Sequence, residues 1–400
     1  MADDSARRIG VGLISAGWMG TVHSRGYLGA REKYPELGVA PELVVVADSS
    51  EAAARRAVDR LGYRRWTSDV RDVLADPEVD VVSICAPNYL HREFALAAVE
   101  AGKPFWIEKP MGVGVADSAA IAQAVEAAGL VTCVGFNYRH APAVEEARRL
   151  VRSGALGTIT NIRCRLDADY SSDPDGPRTW RFIKEKAGSG VLGDLLSHGI
   201  DLVQYLAGAI HEVTCLTETF ITHRPQAAEG GIGHHVAVAE DAQLLPVENE
   251  DYAAIIARLD SGAVATLESS RIAVGPRCEY GFSVYGTTGS LVWDFERMNE
   301  LQVCLGRGAG QYGYTRVLTE PGHGDFGRFQ PGAGMGLSFD DLKTIEASQF
   351  LASVVSGRQL APSVADGLAA ASVADAAQQS AADGAWHTVP APLGSVTFDD

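Results

Sequence analysis

Residues 9–20 read Ile9-Gly10-Val11-Gly12-Leu13-Ile14-Ser15-Ala16-Gly17-Trp18-Met19-Gly20, and their reading decides the fold. Ile9 to Ile14 is a short apolar run of strand type. The residues after it have the spacing of a dinucleotide fingerprint, with Ser15 in place of the first glycine. In that motif the middle glycine, Gly17, lets the backbone approach a pyrophosphate, and the last, Gly20, permits close helix–strand packing. A helix starting near Trp18 would aim its amino end and positive dipole at the phosphates. A tight structural turn is the other reading.

Working outward, strand and helix alternate as far as residue 136. The second strand, Glu42-Leu43-Val44-Val45-Val46-Ala47, ends at Asp48. An acidic residue there accepts hydrogen bonds from both ribose hydroxyls and repels a 2′-phosphate, so it favours NAD over NADP. It lies farther from the glycines than the usual ~20 residues, because residues 27–41 hold an extra loop. Capping the next helix, Glu51 to Leu61, is its alternative role. Asp80 to Pro87 is a buried parallel strand running into Asn88-Tyr89-Leu90-His91, and the helix from Arg92 to Ala101 closes on Gly102. Asn88 and His91 fall at that strand's carboxyl end, beside the expected nicotinamide ribose; Asn88 is also a candidate helix cap.

The strand-like Lys103-Pro104-Phe105-Trp106 leads into Ile107-Glu108-Lys109-Pro110. This places a lysine where open α/β sheets bind ligands. Proline removes a donor and pushes the residue before it out of the helical region, so Lys109 is held on a turn. From there it can hydrogen-bond a substrate hydroxyl or shuttle its proton; a plain surface lysine is the alternative. A helix over 117–128 and a strand over 131–136 complete a doubly wound parallel sheet.

Beyond a helix over 141–153 the pattern changes. Alternating stretches at 158–166, 213–222, 251–259, 263–270, 280–285, 290–295 and 300–305 point to a mostly antiparallel sheet of six or seven strands. One face would pack on helices, and the other is free for a second subunit. Within this half, Asp194, His198 and Asp201 recur at helical spacing and so share one face. A carboxylate one turn from a histidine can fix its tautomer and raise its basicity. Solvated or packing side chains are the alternative, and no metal is expected, since no further ligands converge. The glycine-rich loops 227–249, with His234-His235, and 306–336 read as surface or subunit-contact loops. Two helices (342–356 and 364–382) and a strand-like Trp386 to Val389 close the chain. The expected division is a Rossmann domain over 1–136 and a substrate-binding, oligomerising α/β domain over 137–400.

Four hundred residues exceed one ordinary core and fit two domains. With 46% hydrophobic and 21% charged residues the chain has globular composition. A net charge of −17 argues against nucleic acid and anionic membrane surfaces. An anionic substrate would need a local basic pocket, whereas a neutral sugar or polyol would not. Six scattered cysteines without a Cys-x-x-Cys pair read as reduced thiols of a cytoplasmic protein. No apolar run reaches the ~18 residues of a membrane span. Arg7-Arg8 imitates an export signal, but the first strand is needed in the fold, and Met1 to Ala6 reads as a disordered tail.

Taken in order, Gly17-Trp18-Met19-Gly20…His23, Pro87-Asn88…His91, Gly102-Lys103…Glu108-Lys109-Pro110 and Gly193-Asp194…His198…Asp201 resemble the motifs of the Gfo/Idh/MocA family of NAD(P)-dependent oxidoreductases. Tyr138-Arg139, Trp180-Arg181-Phe182, Ala187-Gly188-Ser189-Gly190, Tyr285 to Ser290 and Leu301-Gln302-Val303 resemble its levoglucosan dehydrogenase branch, whose members oxidise a sugar's C3 hydroxyl. The resemblance implies an N-terminal Rossmann domain, a C-terminal α/β domain with an open sheet, and a homotetramer or dimer built sheet to sheet. It implies NAD held by Ser15, Ala16, Gly17, Trp18, Met19, Asp48, Ala86, Pro87, Asn88, His91, Glu108 and Lys109. Lys109, Asp194 and His198 occupy the family's catalytic positions, with substrate between the domains and touched also by Tyr138, Arg139, Trp180 and Arg181. Ser15 departs from the family's glycine, but a small residue can still make the turn.

Oxidising a secondary alcohol removes a hydride from carbon and a proton from oxygen. His198 is the expected proton acceptor, with Lys109 donating to the developing alkoxide and Asp194 orienting the pair; Lys109 as the direct base is the alternative. Other readings are an inositol dehydrogenase, an NAD-dependent glycosidase with transient oxidation, and a non-catalytic nucleotide-binding regulator.

Overall fold

The computed structural model describes residues 6–228, 236–306 and 312–391; Met1 to Ser5 of the expected tail and the His234-His235 pair lie outside them. The chain folds as two compact units. The first contains the chain up to Asn137 and takes back Ser338–Leu368, so the tail helix expected in the second domain belongs to the first unit.

In the first unit, β1 (Arg7–Ile14), α1 (Trp18–Lys33), β2 (Val39–Ala47), α2 (Glu51–Leu61), β3 (Arg65–Thr67), α3 (Val70–Ala75), β4 (Val81–Ile84), α4 (Asn88–Glu100), β5 (Phe105–Ile107), α5 (Val115–Ala128) and β6 (Thr132–Val134) follow one another. The six strands are parallel, in the order β3-β2-β1-β4-β5-β6. Both faces are covered, which is why the strands read as continuous apolar runs rather than alternating ones. Ile9, Val11, Leu13, Val46, Val81 and Trp106 share one core with Tyr27 of α1 and with Phe350 and Leu351 of the returning segment. The strand order reverses between β1 and β4, where Ile14 and Ile84 lie side by side. Ligands of doubly wound sheets bind in the crevice at this reversal.

The second unit opens with α6 (Pro142–Arg152) and β7 (Ile159–Asp167). Then come the single-turn α7 (Lys184–Ala187), α8 (Val191–Asp194) and α9 (Leu196–Ala207). The strands β8 (Ile210–Glu218), β9 (His223–Pro225), β10 (Leu244–Pro246), β11 (Tyr252–Leu259), β12 (Val264–Ser270), β13 (Glu279–Gly286), β14 (Gly289–Asp294), β15 (Glu300–Leu305) and β16 (Thr315–Leu318) follow. After α10 (Phe326–Phe329) come α11 (Phe339–Ser356), α12 (Val364–Asp383) and β17 (His387–Thr388).

The large sheet has nine strands, β16-β15-β14-β13-β7-β12-β11-β8-β17, not six or seven. The added edge strands are β17, within the strand-like Trp386 to Val389, and β16, which lies in the glycine-rich loop 306–336. Only β7 and β12 pair in parallel; the other neighbours are antiparallel. Ala253, Ile255 and Ala257 point to the buried face, on which α9 packs against β7 and β12. Leu216, Ile256 and Val264 point the other way and are 45–63% exposed. Part of each glycine-rich loop is ordered: β9 and β10 form a small ribbon, and β16 extends the sheet.

α11 lies against α1 within the first unit. A side chain at Gly26 of α1 would fall 2.8 Å from the Lys343 carbonyl, so the two helices meet backbone to backbone. Ser15 has φ +76°, the sole left-handed non-glycine among the described residues. Its N–H donates to the Ala47 carbonyl at 2.8 Å, which ties the turn to β2 despite the steric cost. That cost is about 1 kcal/mol for a residue with a Cβ. Ser15→Gly should therefore raise stability by about 1 kcal/mol in a denaturant titration; an unchanged or lower midpoint would show that the turn is not strained.

Candidate active site

In the first unit the crevice begins at the turn after β1. α1 starts there with no side-chain cap, and its first turn carries no acidic residue. Its orphan N–H groups and dipole are thus available to an anion. A Cβ added at Gly17 would meet nothing within 4 Å, whereas one at Gly20 would strike the Ser15 carbonyl. Gly17 thus faces open space and Gly20 closes the helix onto the turn. Asp48 stands at the end of β2, half-buried; its Oδ2 accepts the Ala16 N–H and its Oδ1 the Ser50 N–H, both at 2.8 Å. The side-chain cap of α2 is Ser50, not Asp48. An uncapped helix end, open space at Gly17 and a carboxylate tied to the same turn suit the pyrophosphate and ribose of NAD. Trp18 is 65% exposed and stacks on Phe339 with ring centres 5.5 Å apart.

At the end of β4, Pro87 occupies the cap position of α4, so Asn88 is the first helical residue rather than the cap. His91 is buried, with Nδ1 2.9 Å from the Pro110 carbonyl and Nε2 2.7 Å from the Ala86 carbonyl. The neutral ring that burial favours donates its one N–H to one of these two carbonyls and packs between the two turns. The His91 ring thus faces the interior of the unit, between the turn after β4 and the turn at Pro110. Burial lowers its pKa against those two bonds. The Lys109–Pro110 peptide is cis, and Lys109 is half-buried on the turn.

Glu108, expected to face the cofactor, is turned inward. Its Oε1 accepts from Lys343 Nζ at 2.6 Å and from His23 Nε2 at 3.0 Å, and its Oε2 accepts the Lys109 N–H at 3.2 Å. Lys343 also donates to Glu346 at 2.8 Å. His23 stacks on Trp106 at 3.4 Å, and its Nδ1 lies 3.2 Å from the Ser83 hydroxyl, which meets that of Tyr27 at 3.1 Å. Burial drives the His23 imidazole down to about 4, the Glu108 bond opposing and the Lys343 charge assisting. In its neutral form Nε2–H donates to Glu108 and Nδ1 accepts from Ser83. Burial would raise the Glu108 carboxyl, but the Lys343 ammonium and His23 outweigh it and hold it below the usual range. Lys343 is in turn held raised by its two carboxylates against burial.

In the second unit Asp194 and His198 do not ride one regular helix. α8 ends at Asp194 and α9 begins at Leu196, with Leu195 between them at φ −107° and ψ −52°. The Asp201 carboxylate is engaged elsewhere, by a bidentate pair with Arg139: Nε to Oδ2 at 2.8 Å and Nη2 to Oδ1. Both residues are buried. Arg139, expected to donate to substrate hydroxyls, thus spends its fork inside the unit. Asp194 accepts from the Tyr170 hydroxyl at 2.6 Å. Desolvation and then the Asp194 charge push the Tyr170 phenol well up, so it stays a donor at neutral pH. The Tyr138 ring lies 4.5 Å from that of His198 and 4.9 Å from Phe295, walling one side of the histidine. Arg181 lies over Trp180 at 4.5 Å, so two substrate candidates stack on each other.

The sequence reading missed what positions these groups. Glu250 Oε1 accepts the Gly190 and Leu192 N–H groups at 2.7 and 3.0 Å, capping the short helix that ends in Asp194. Asn249 donates to the Arg181 and Ser189 carbonyls at 2.8 and 3.1 Å and accepts from buried Arg271 at 3.0 Å. Arg271 also pairs with Asp251 at 2.8 Å. A visible signal existed: Asn249-Glu250-Asp251 is a polar run at the mouth of an apolar strand. For Lys343 and Glu346 it was two charges three apart in a helix otherwise apolar on that side. Tyr170 had no signal in one dimension.

Comparison with known proteins agrees with this layout. Residues 9–136 match the oxidoreductase family with NAD-binding Rossmann fold, and 144–292 match the GFO/IDH/MocA C-terminal domain. Levoglucosan dehydrogenase of Pseudarthrobacter phenanthrenivorans is 36% identical over 385 residues, covering 96% of this chain and 99% of that protein. Inositol 2-dehydrogenase of Rhizobium meliloti is 27% identical, covering 93% and 96%. The solved structure of levoglucosan dehydrogenase in complex with NADH and levoglucosan superposes with a TM-score of 0.90, covering 96% of this chain and 100% of that one.

The buried imidazole gives a measurable pH signature. Unfolded, His23 takes up a proton below its ordinary 6.5; folded, it does so only near 4. Its contribution is therefore complete above pH 6.5 and declines by about 3 kcal/mol as pH falls to 4. The stability difference between the wild type and His23→Gln should shrink by that amount over this window in parallel denaturant titrations. A pH-independent difference would refute a neutral buried His23.

Proposed function

The chain belongs to the Gfo/Idh/MocA family of NAD-binding oxidoreductases, and from this premise we propose that it oxidises the C3 hydroxyl of a sugar, anhydrosugar or glycoside to the ketone. The observation that carries the reading is the likeness to levoglucosan dehydrogenase, which runs over 96% of this chain and so through both units. The net charge of −17 favours a neutral substrate.

In this reading Lys109, Asp194 and His198 are the catalytic residues. NAD, held at the turn by Gly17, the amino end of α1 and Asp48, would supply the acceptor for the hydride of the hydroxyl carbon. His198 takes the hydroxyl proton, and Lys109 donates a hydrogen bond to the oxygen as negative charge builds on it. Asp194, fixed by the Tyr170 hydroxyl, orients and charge-balances the pair. Tyr138 and Trp180 offer ring faces to the apolar side of a sugar, and Arg181 offers donors to its hydroxyls. Arg139 braces the helix through Asp201.

A cyclitol is the second reading, favoured by the likeness to inositol 2-dehydrogenase. We further assign the exposed sheet face carrying Leu216, Ile256 and Val264 to a subunit contact, giving a dimer or tetramer. Six free thiols support a cytoplasmic location, and no helix among the described residues is long and apolar enough to cross a membrane.

The test is NADH formation with levoglucosan, glucose, simple glycosides and inositols, with the product ketone located by NMR. Oxidation at a carbon other than C3 overturns the regiochemistry, and aglycone release without net NADH overturns the dehydrogenase assignment. Lys109→Ala and His198→Ala should each lower kcat by at least ~100-fold with NADH binding retained. Normal turnover in both would remove these residues from the chemistry.

A further inference from the structure

Lys343 is a fully buried ammonium with no part in the chemistry above. It sits on α11, more than two hundred residues from the turn it serves, and its first partner is the Glu108 carboxylate. Glu108 is not a passive counter-ion. The carboxylate that takes the Lys343 bond on Oε1 takes the backbone N–H of Lys109 on Oε2. It has no room to swing, because a Cβ at Gly135 would already fall 2.7 Å from its oxygens. The backbone before it is pinned as well, the Glu108 N–H donating to Ile84 at 3.0 Å and the Gly135 N–H to Ile107 at 2.9 Å.

Stability alone does not account for this arrangement. Desolvating charges is costly, and well-packed apolar side chains of the same volume usually serve a fold as well or better. A carboxylate that must stay ionised and immobile beside a working residue is a different requirement, and a buried cation meets it. Glu346, 2.8 Å from the ammonium, anchors Lys343 to its own helix. Trp106, with the ammonium 5.3 Å from its ring, and the His23 ring stacked on it complete the surroundings of the buried pair.

We propose that Lys343 is a positioning residue for the reaction: through Glu108 it fixes the backbone at Lys109, and so the direction in which the Lys109 amine leaves the cis-proline turn. The inference rests on the reading of Lys109 as a catalytic group. Helix α11, which returns to the first unit late in the chain, is on this view a part of the catalytic apparatus.

The test uses the full chain carrying Lys343→Met, which keeps the stem and removes the charge. Three readings are taken on the folded enzyme: kcat, the NADH dissociation constant by fluorescence titration, and the rate at which an amine-acylating reagent labels Lys109, followed by peptide mapping. Positioning predicts kcat lower by at least ~10-fold, Lys109 labelling faster by at least ~3-fold as the turn loosens, and an NADH dissociation constant within about threefold, since a small misplacement of a reacting group is costly to turnover. Ile345→Ala, buried on the same helix, is the control for a weakened helix: its melting temperature falls while kcat and labelling stay within about twofold. A folded Lys343→Met enzyme with control-like kcat and labelling overturns the proposal. Should that variant fail to fold, Glu108→Gln is judged by the same criteria. If the wild type oxidises no hydroxyl substrate, the functional reading fails, while labelling and NADH affinity still decide whether Lys343 governs Lys109.

Discussion

One ammonium shared by two carboxylates in a dry interior organises the first unit. Lys343 joins the end of β5, through Glu108, to a helix that follows β16 in the chain. Charges so buried tolerate no missing partner, since the remaining one would stand uncompensated in a medium of low polarity. The cluster therefore demands that α1, β5 and α11 be present together, and His23 brings α1 into the same contact. The demand is satisfied just behind the turn that carries Lys109.

The second unit solves a comparable problem with a buried Arg271–Asp251 pair and the neutral Asn249 beside it. Asn249, Glu250 and Asp251 each face a different backbone segment, and Arg271 ties the first and last together. One short run thereby sets the segment with Trp180 and Arg181, the cap of the helix ending in Asp194, and the strand end near Phe220. In both units the residues that would meet substrate sit on turns or helix ends. The residues that hold them, Glu108 and Lys343 in the first unit and Asn249, Glu250 and Asp251 in the second, are engaged by hydrogen bonds inside their own units. Division of labour of this kind lets the contacting residues vary without disturbing the frame.

Arg139, Glu108 and His91 illustrate how far one-dimensional reading reaches. Each was expected at a ligand from its motif, and each side chain is turned to partners inside its own unit. Residue type and position could not tell these alternatives apart, because an arginine, a glutamate or a histidine at a strand end serves substrate or scaffold equally well. What decided was a partner remote in sequence: Asp201 for Arg139, Lys343 for Glu108, and two backbone carbonyls for His91. The break at Leu195 was likewise invisible, since apolar spacing through 191–203 suits one helix or two. The strand count fell short at the edges because β16 buries little and needs no alternating pattern, and because the pairing of the strand-like chain end with β8 is not a local feature.

The sequence by itself determined the parallel sheet, its Gly-rich turn, the place of Lys109 at a strand's end and the change to an antiparallel half after residue 137. Those features arise from local rules, namely periodicity, glycine spacing and proline geometry, which act between near neighbours. The tertiary structure alone decided which polar side chains face ligand and which face one another, and that α11 belongs with the first unit. Pairing across hundreds of residues is fixed by where folded segments bury one another's charges, and no local pattern encodes it.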